Sequence, residues 1–357
     1  MKMNRYAFDQ NSFDLIRYYA AFAVMCLHFT SYFYLTRISP TQTELQAADI
    51  IRKIAVATPP VVILFCLSGF FAMASLSHNS SAGGYIKKRI YRLYPSIWFC
   101  TIINLIAIFF ISKDLVNMKQ ILVWLLTQIF GIANTPAFFK NIATGSVNGA
   151  LWTIVVQFQI YLFFSVLYRF ISKLHTLGWS IMITSSIVAN ILCRLVTDAI
   201  GNEKLICKLI ERSFVPYIIF ALIGASVFRF FDRIIPVLTK GLPVFLVIIF
   251  MISHNKLPDY GYYCGVITAI CTSLLFLGIG YCFKLRLSYD ISYELFLYHW
   301  IVLNFVVHYD LINRISFGLG LVVFFILSII LAIICKYCLS LICKVLFSHQ
   351  IEVRETR

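Results

Sequence analysis

Long apolar runs, repeated from one end of this chain to the other, limit the folds open to it. A helix needs about 20 predominantly apolar residues to cross the roughly 30 Å hydrocarbon core of a bilayer. Runs of that kind, separated by short polar breaks, predict ten spanning helices. They lie at approximately 14–36, 54–76, 94–112, 150–170, 177–197, 213–231, 241–254, 262–283, 290–310 and 316–346. The seventh is short and the tenth long. Composition agrees, because 61% of the 357 residues are hydrophobic and only 13% are charged. No soluble domain of this size needs so much apolar surface. The expected fold is all-α, a polytopic integral membrane protein with a single domain over residues 1–357.

A net charge of +15 raises the question of nucleic acid. The basic residues, however, sit in short loops between apolar runs, with no basic tail and no patch interleaved with aromatics. No nucleic-acid partner is expected, and the excess charge follows the bias of Lys and Arg toward cytoplasmic loops. With the N-terminus inside, those loops carry Lys87, Lys88, Arg89 and Arg92, then Arg169 and Lys173, then Arg229, Arg233 and Lys240. Lys284 and Arg286 follow, and Lys344 and Arg354 lie near the C-terminus. The outer loops hold Glu44, Asp49 and Asp259, with Arg52, Lys53, Lys204, Lys208 and Arg212 as exceptions. Both termini are therefore expected in the cytoplasm. The N-terminal segment MKMNRYAFDQNSFD has no small-residue cleavage site ahead of a short apolar core, so the first span is expected to be retained. Counting Gln120–Ile132 as a span would place Arg169 and Lys173 outside. It is read instead as a re-entrant or interfacial segment of the long outer loop, which runs on through Asn148 and Gly149 and is a candidate place for an acceptor.

Several runs carry groups that lipid does not favour. Asp14, Arg17 and His28 lie in the first, and ionisable groups inside a span are costly and usually functional. Arg17 and His28 are eleven positions apart, about 16 Å along a helix and roughly 20° beyond three full turns, so they share one stripe. The bland alternative has Arg17 snorkelling to head groups and His28 packing against a neighbour. In the second run Pro59-Pro60 should bend or break the helix, and the glycine of Leu67-Ser68-Gly69-Phe70-Phe71 suits close helix packing. Gly83-Gly84 reads as a flexible turn before Arg89 and Arg92, which share a helix face. Forked guanidinium pairs suit phosphate, although an ordinary basic loop on acidic lipid fits equally well. In the fourth run Trp152 is an interfacial anchor, Gln157 and Tyr161 share a face, and Gln159 bonds across helices. The ninth holds Asp290, Glu294, His299 and Asn304, with Glu294 and His299 about 140° apart around the helix and so not bound to face one cavity. His308 is read as interfacial.

Other chemistries find little support. Most of the eleven cysteines lie in apolar runs, where Cys26, Cys66, Cys100, Cys193 and Cys271 read as small hydrophobes. Cys335 and Cys338 form a CxxC without a second pair or a nearby histidine. There is no HExxH, GxSxG, P-loop or dinucleotide fingerprint, and no metal is expected.

In their order and spacing, five stretches resemble the bacterial acyltransferase family 3, the integral-membrane O-acyltransferases of surface polysaccharides. They are Asp14-Leu-Ile-Arg17 with His28; Phe65-Cys-Leu-Ser-Gly-Phe70; Arg89-Ile-Tyr-Arg92 with Pro95; Leu151-Trp152 through Gln157 and Tyr161; and Ile291-Ser292-Tyr293 through His299. The resemblance implies a ten-span core in the bacterial cytoplasmic (inner) membrane. It implies acyl-CoA, most often acetyl-CoA, as donor, and a sugar hydroxyl on a lipid-linked or polymeric glycan, such as the O-antigen of lipopolysaccharide, as acceptor. It makes His28 the catalytic residue and gives Arg17, Arg89, Arg92, Lys88 and Ser68 to the donor. Trp152, Gln157, Tyr161, Ser292, Tyr293 and His299 fall to the acceptor. Many members have Glu where this chain has Gln157, and an amide cannot exchange a proton as a carboxylate does. His28 would act as general base on the sugar hydroxyl or accept the acyl group itself. The rival class is a transporter or flippase with Arg and His along an intramembrane path.

Overall fold

Apolar runs of helical length do form helices. The structure is a computed structural model that describes residues 8, 10–78, 81–201, 204–283, 285 and 287–355, with residues 114 and 345–355 described in backbone only. Lys284 and Arg286 of the expected cytoplasmic loop lie outside the described residues, as do residues 1–7 and 9 of the N-terminal segment and the side chain of Arg354.

Every element among the described residues is helical. In chain order the α-helices are α1 (Phe13–Thr36), α2 (Gln42–Ala57), α3 (Pro60–His78), α4 (Ala82–Ser112), α5 (Met118–Ile129), α6 (Trp152–Ile171) and α7 (Thr176–Ile200). There follow α8 (Leu205–Glu211), α9 (Ile218–Arg229), α10 (Phe231–Ser253), α11 (Val266–Cys282), α12 (Ser292–His308), α13 (Leu311–Arg314) and α14 (Phe317–Glu355). Each of the ten apolar runs overlaps helix, with the run 54–76 divided between the end of α2 and α3. Among the described residues six stretches are long and apolar enough to cross a membrane: 42–78, 82–112, 152–171, 176–200, 231–253 and 317–344. The helices α9 and α11 are apolar but shorter. Leu192 and Val247 stay exposed on α7 and α10, as side chains facing lipid would.

Several boundaries differ from the sequence reading. The helix breaks at Thr58–Pro59, and Pro60 opens α3 at the first helical position, where its missing N–H costs nothing. Gly83-Gly84 is not a turn but part of the first turn of α4. The basic residues 87–92 are therefore helical, and Pro95 lies inside the helix. The seventh run is not short either, because α10 has 23 residues and accommodates Pro236 and Pro243. A proline removes one bond from the ladder without ending a helix that tertiary contacts hold. The segment near 120–132 forms α5, whose 12 residues span about 18 Å, too short to cross. Ile121 and Trp124 pack inward with Ile108, Ile111 and Phe139, while Leu122, Val123 and Leu126 face outward. That two-sided pattern suits an interfacial helix.

The chain divides into two interleaved units, one of residues 1–27, 49–89 and 152–290, the other of 28–48, 90–151 and 291–357. In the first, α3 crosses α9 at glycine. A Cβ on Gly69 would collide with the Ala221 carbonyl, and one on Gly224 with the Cys66 carbonyl. Only glycine permits this backbone approach. An aromatic cluster of Phe13, Phe70, Phe71, Phe228, Phe231 and Tyr281 fills the same unit.

In the second unit α12 packs on α14, and Phe29 and Phe33 of α1 lie against Phe317. Arg37 clasps that unit. Its guanidinium donates to Glu44 at 2.8 Å and to the carbonyls of Ile312 and Ile315 at 2.6 and 3.2 Å. The same Glu44 carboxylate accepts the Phe317 amide at the start of α14. Both side chains are largely enclosed, at 14% and 11% exposure. Arg37→Ala removes the guanidinium from Glu44 and from two carbonyls but leaves the carboxylate its Thr41 and Phe317 amides, a change that costs about 1–3 kcal/mol. A clear fall in thermal midpoint of the purified protein is the expected reading.

Candidate active site

A buried histidine must spend its ring nitrogens on partners. His28, on α1, is half-buried, and its Nδ1 lies 2.8 Å from Nε2 of His299. The two rings are nearly parallel, with centroids 5.1 Å apart. His299, on α12, is fully enclosed, and its Nδ1 lies 3.1 Å from the Leu295 carbonyl one turn back. A carbonyl only accepts, so that Nδ1 carries a proton. In a neutral ring Nε2 of His299 is then an acceptor, and His28 donates to it through Nδ1–H. The lone pair of the His28 ring therefore rests on Nε2, for which no partner is found among the described residues. This is the geometry of a base held in one tautomer by a second residue.

Trp300 closes one side of the pair. Its ring meets His28 edge-on at 4.6 Å, and its Nε1 donates to Thr144 Oγ1 and the Ser146 carbonyl, both at 3.1 Å. Asn304, a turn further along α12, binds the same loop. Its Nδ2 donates to the Ser146 and Val147 carbonyls at 3.1 and 3.0 Å, and its Oδ1 accepts from Thr144 Oγ1 at 2.6 Å. Tyr32 donates to the Thr144 carbonyl, Asn148 to that of Leu297, and a Cβ on Gly149 would enter the Trp300 ring. The loop through Asn148 and Gly149 is thus fixed beside His28. Glu294 turns away, with Lys336 3.6 Å from its carboxylate, as its angular separation from His299 anticipates.

The basic residues of the first unit are placed very differently from one another. Arg17 already has carboxylates, Asp14 at 2.6 Å and Asp290 at 3.6 Å, with the Phe71 ring 5.2 Å from its guanidinium carbon. Arg89 lies between two tyrosine rings, 4.8 Å from Tyr85 and 4.9 Å from Tyr161. Its Nη2 contacts the Phe71 carbonyl at 3.5 Å, and among the described residues no carboxylate pairs with it. Gln157 donates through Nε2 to Ser68 Oγ at 2.8 Å and to Tyr161 Oη at 2.7 Å. Ser68, Arg89, Gln157 and Tyr161 thus form one cluster on α3, α4 and α6. Trp152 packs instead with Tyr217 and Tyr263.

The remaining expected site residues are scattered. Lys88 and Arg92 are exposed, so Arg92 does not share the half-buried setting of Arg89. In the second unit Ser292 is buried, and Tyr293 donates to the Leu93 carbonyl at 3.4 Å. Gln159 does bond across elements, donating to the Arg212 carbonyl and accepting the Phe214 amide. His308 is exposed. Sequence reasoning missed Trp300, Thr144 and Tyr85. The spacing of Tyr85 from Arg89, four residues on one helix, was a usable signal, but the contacts of Trp300 and Thr144 join segments far apart in the chain.

Nodulation protein 10 of Rhizobium leguminosarum bv. viciae is 24% identical over 163 residues, which cover 43% of this chain and 42% of the relative. The match thus spans well under two thirds of that relative's length. No solved structure matches the chain. The model of the acyltransferase domain matches residues 10–341, nearly the whole chain, a range that contains the five stretches above. On that match, the chain belongs to the acyltransferase 3 family.

Proposed function

We propose that this protein is a membrane O-acyltransferase that moves an acyl group, acetyl by preference, from acyl-CoA to a hydroxyl of a surface polysaccharide or lipid-linked sugar such as O-antigen. The observation that carries the reading is the His28–His299 pair, which leaves the His28 Nε2 lone pair available on a half-buried ring. A sugar hydroxyl gives its proton to that nitrogen as its oxygen attacks the thioester carbonyl. The carbon–sulfur bond breaks, and the proton passes to the departing CoA thiolate. In the covalent variant the same nitrogen takes the acyl group first and yields it to the sugar. The fixed loop beside Trp300 supplies the acceptor side. Arg89, which has no carboxylate partner among the described residues, supplies a cation for the donor phosphates, and Arg17 and His28 share the unbroken helix α1. Ten spans in a bacterial inner membrane, with both termini cytoplasmic, complete the proposal.

The test is to supply the purified protein in lipid with labelled acetyl-CoA and candidate glycans. Label should move to the glycan as an ester while free thiol is released. Glycan composition unchanged by removal of the protein from its cell, with no thiol released in vitro, would sink the proposal and favour a transporter.

A further inference from the structure

Thr144 sits at the centre of a polar network to which the reaction above gives no task. Its members, on α1, α12 and the segment 143–149, all belong to the second unit. Asn304 donates through Nδ2 to two carbonyls, which fixes its amide and makes Oδ1 an acceptor. The Thr144 hydroxyl gives its one proton to that oxygen at 2.6 Å, a shorter contact than the 2.9 Å to the Ser146 carbonyl. Its lone pairs are left for a donor. The Trp300 indole N–H, which can only donate, lies 3.1 Å away. Tyr32 adds a further tie, donating to the Thr144 carbonyl at 2.7 Å.

The backbone on both sides of Thr144 is left-handed. Gly145 takes a φ of +72° without penalty, but Ala143 takes +50° while carrying a Cβ. A left-handed alanine is strained, persists only where its surroundings over-determine it, and belongs to a kind of strain that gathers at functional sites.

Trp300 connects this network to His28. It is 7% exposed, and its ring stands at 77° to the imidazole with centroids 4.6 Å apart. The Gly149 backbone lies against the six-membered end of the same indole, where a Cβ would collide. An indole so wedged blocks the imidazole from turning over about its Cβ–Cγ bond. A half-turn would exchange Nδ1 with Cδ2, break the bond to His299 and move Nε2 into the present place of Cε1.

We propose that Thr144 is a positioning residue for acyl transfer. Its hydroxyl anchors the Trp300 indole, and the indole keeps the His28 ring turned with Nδ1 on His299 and Nε2 open. The inference rests on His28 as the base, and it adds a packing restraint to the hydrogen bond that His299 provides.

The experiment is steady-state transfer of label from acetyl-CoA to glycan extracted from cells that lack the protein. Rates are taken well below the thermal midpoint of every variant, so that unfolding does not enter. Thr144→Val, close to threonine in shape, should lower kcat on the order of tenfold with both KM values unchanged, because a misplaced base slows the chemical step and leaves binding alone. Thr144→Ser keeps the hydroxyl and should recover most of kcat. Trp300→Phe keeps a ring but removes the N–H, so Thr144→Val should add less than about twofold in that background. Fully multiplicative losses in the double variant would detach Thr144 from Trp300 and overturn the inference, as would a parent-like kcat in Thr144→Val. In either case, loss of transfer in His28→Ala leaves the base reading standing. A raised acceptor KM with kcat unchanged makes Thr144 an acceptor contact and also overturns the positioning role. No transfer by the parent protein overturns the acyltransferase reading, and this inference with it.

Discussion

His28→Ala should reduce acyl transfer by about 10²–10⁴-fold, the usual contribution of a positioned general base. Loss of the ring removes the Nε2 lone pair that the structure leaves open, and nothing else in the pair can replace it. His299 donates its own proton to the Leu295 carbonyl, and its remaining nitrogen faces His28. The variant should still insert and fold, since His28 is half-buried and the neighbouring apolar contacts of Phe29 and Phe33 with Phe317 are untouched. CoA affinity should stay close to the parent value. Transfer of label to glycan at the parent rate would remove His28 from the chemistry. An acid-quenched reaction also separates the two routes: acyl label retained on the parent protein and absent from His28→Ala marks the covalent one.

His299 carries the second large effect, and it separates orientation from packing. In His299→Leu, a change of similar volume, the Nδ1–H of His28 loses its acceptor and the ring is free to turn or to change tautomer. A drop in kcat on the order of 10²-fold or more is expected, with the donor KM unchanged, because a base in the wrong tautomer cannot take the proton. His299→Gln retains a side-chain acceptor and should recover at least part of the lost kcat. An unfilled Nδ1–H costs about 1–3 kcal/mol, so His299→Leu should also melt earlier than His299→Gln. Should both variants transfer at the parent rate, the pair is only a packing contact. A rise in donor KM with kcat unchanged would instead tie His299 to binding.

The long apolar helices were legible because a run of about 20 apolar residues has few alternatives in or out of a bilayer. Their ends were harder to read. Pro236 and Pro243 look like breaks, yet α10 runs through both, and Gly83-Gly84 looks like a turn, yet α4 has begun. Local propensity is worth about 1 kcal/mol at a glycine and about 3 at a proline, and tertiary packing overrides sums of that size. The candidate residues were legible in part. His28, Arg89, Gln157, Tyr161 and His299 could each be picked out as groups that lipid does not favour, and the ordered motifs tied them to one family.

Which of them meet was not legible. His28 and His299 are 271 positions apart, and no periodicity connects them. From the sequence alone came the membrane class, the helical positions, the family and the short list of polar residues, since each follows from local hydropathy, charge and motif order. Only the tertiary structure decided that His28 is oriented by His299 and that the loop through Ser146 is tied to α12 through Asn304 and Trp300. It also separated Arg17, which has carboxylate partners, from Arg89, for which none is found among the described residues. Those distinctions depend on which atoms lie within about 3 Å of one another. Distances of that kind are set by the packing of helices remote in the chain.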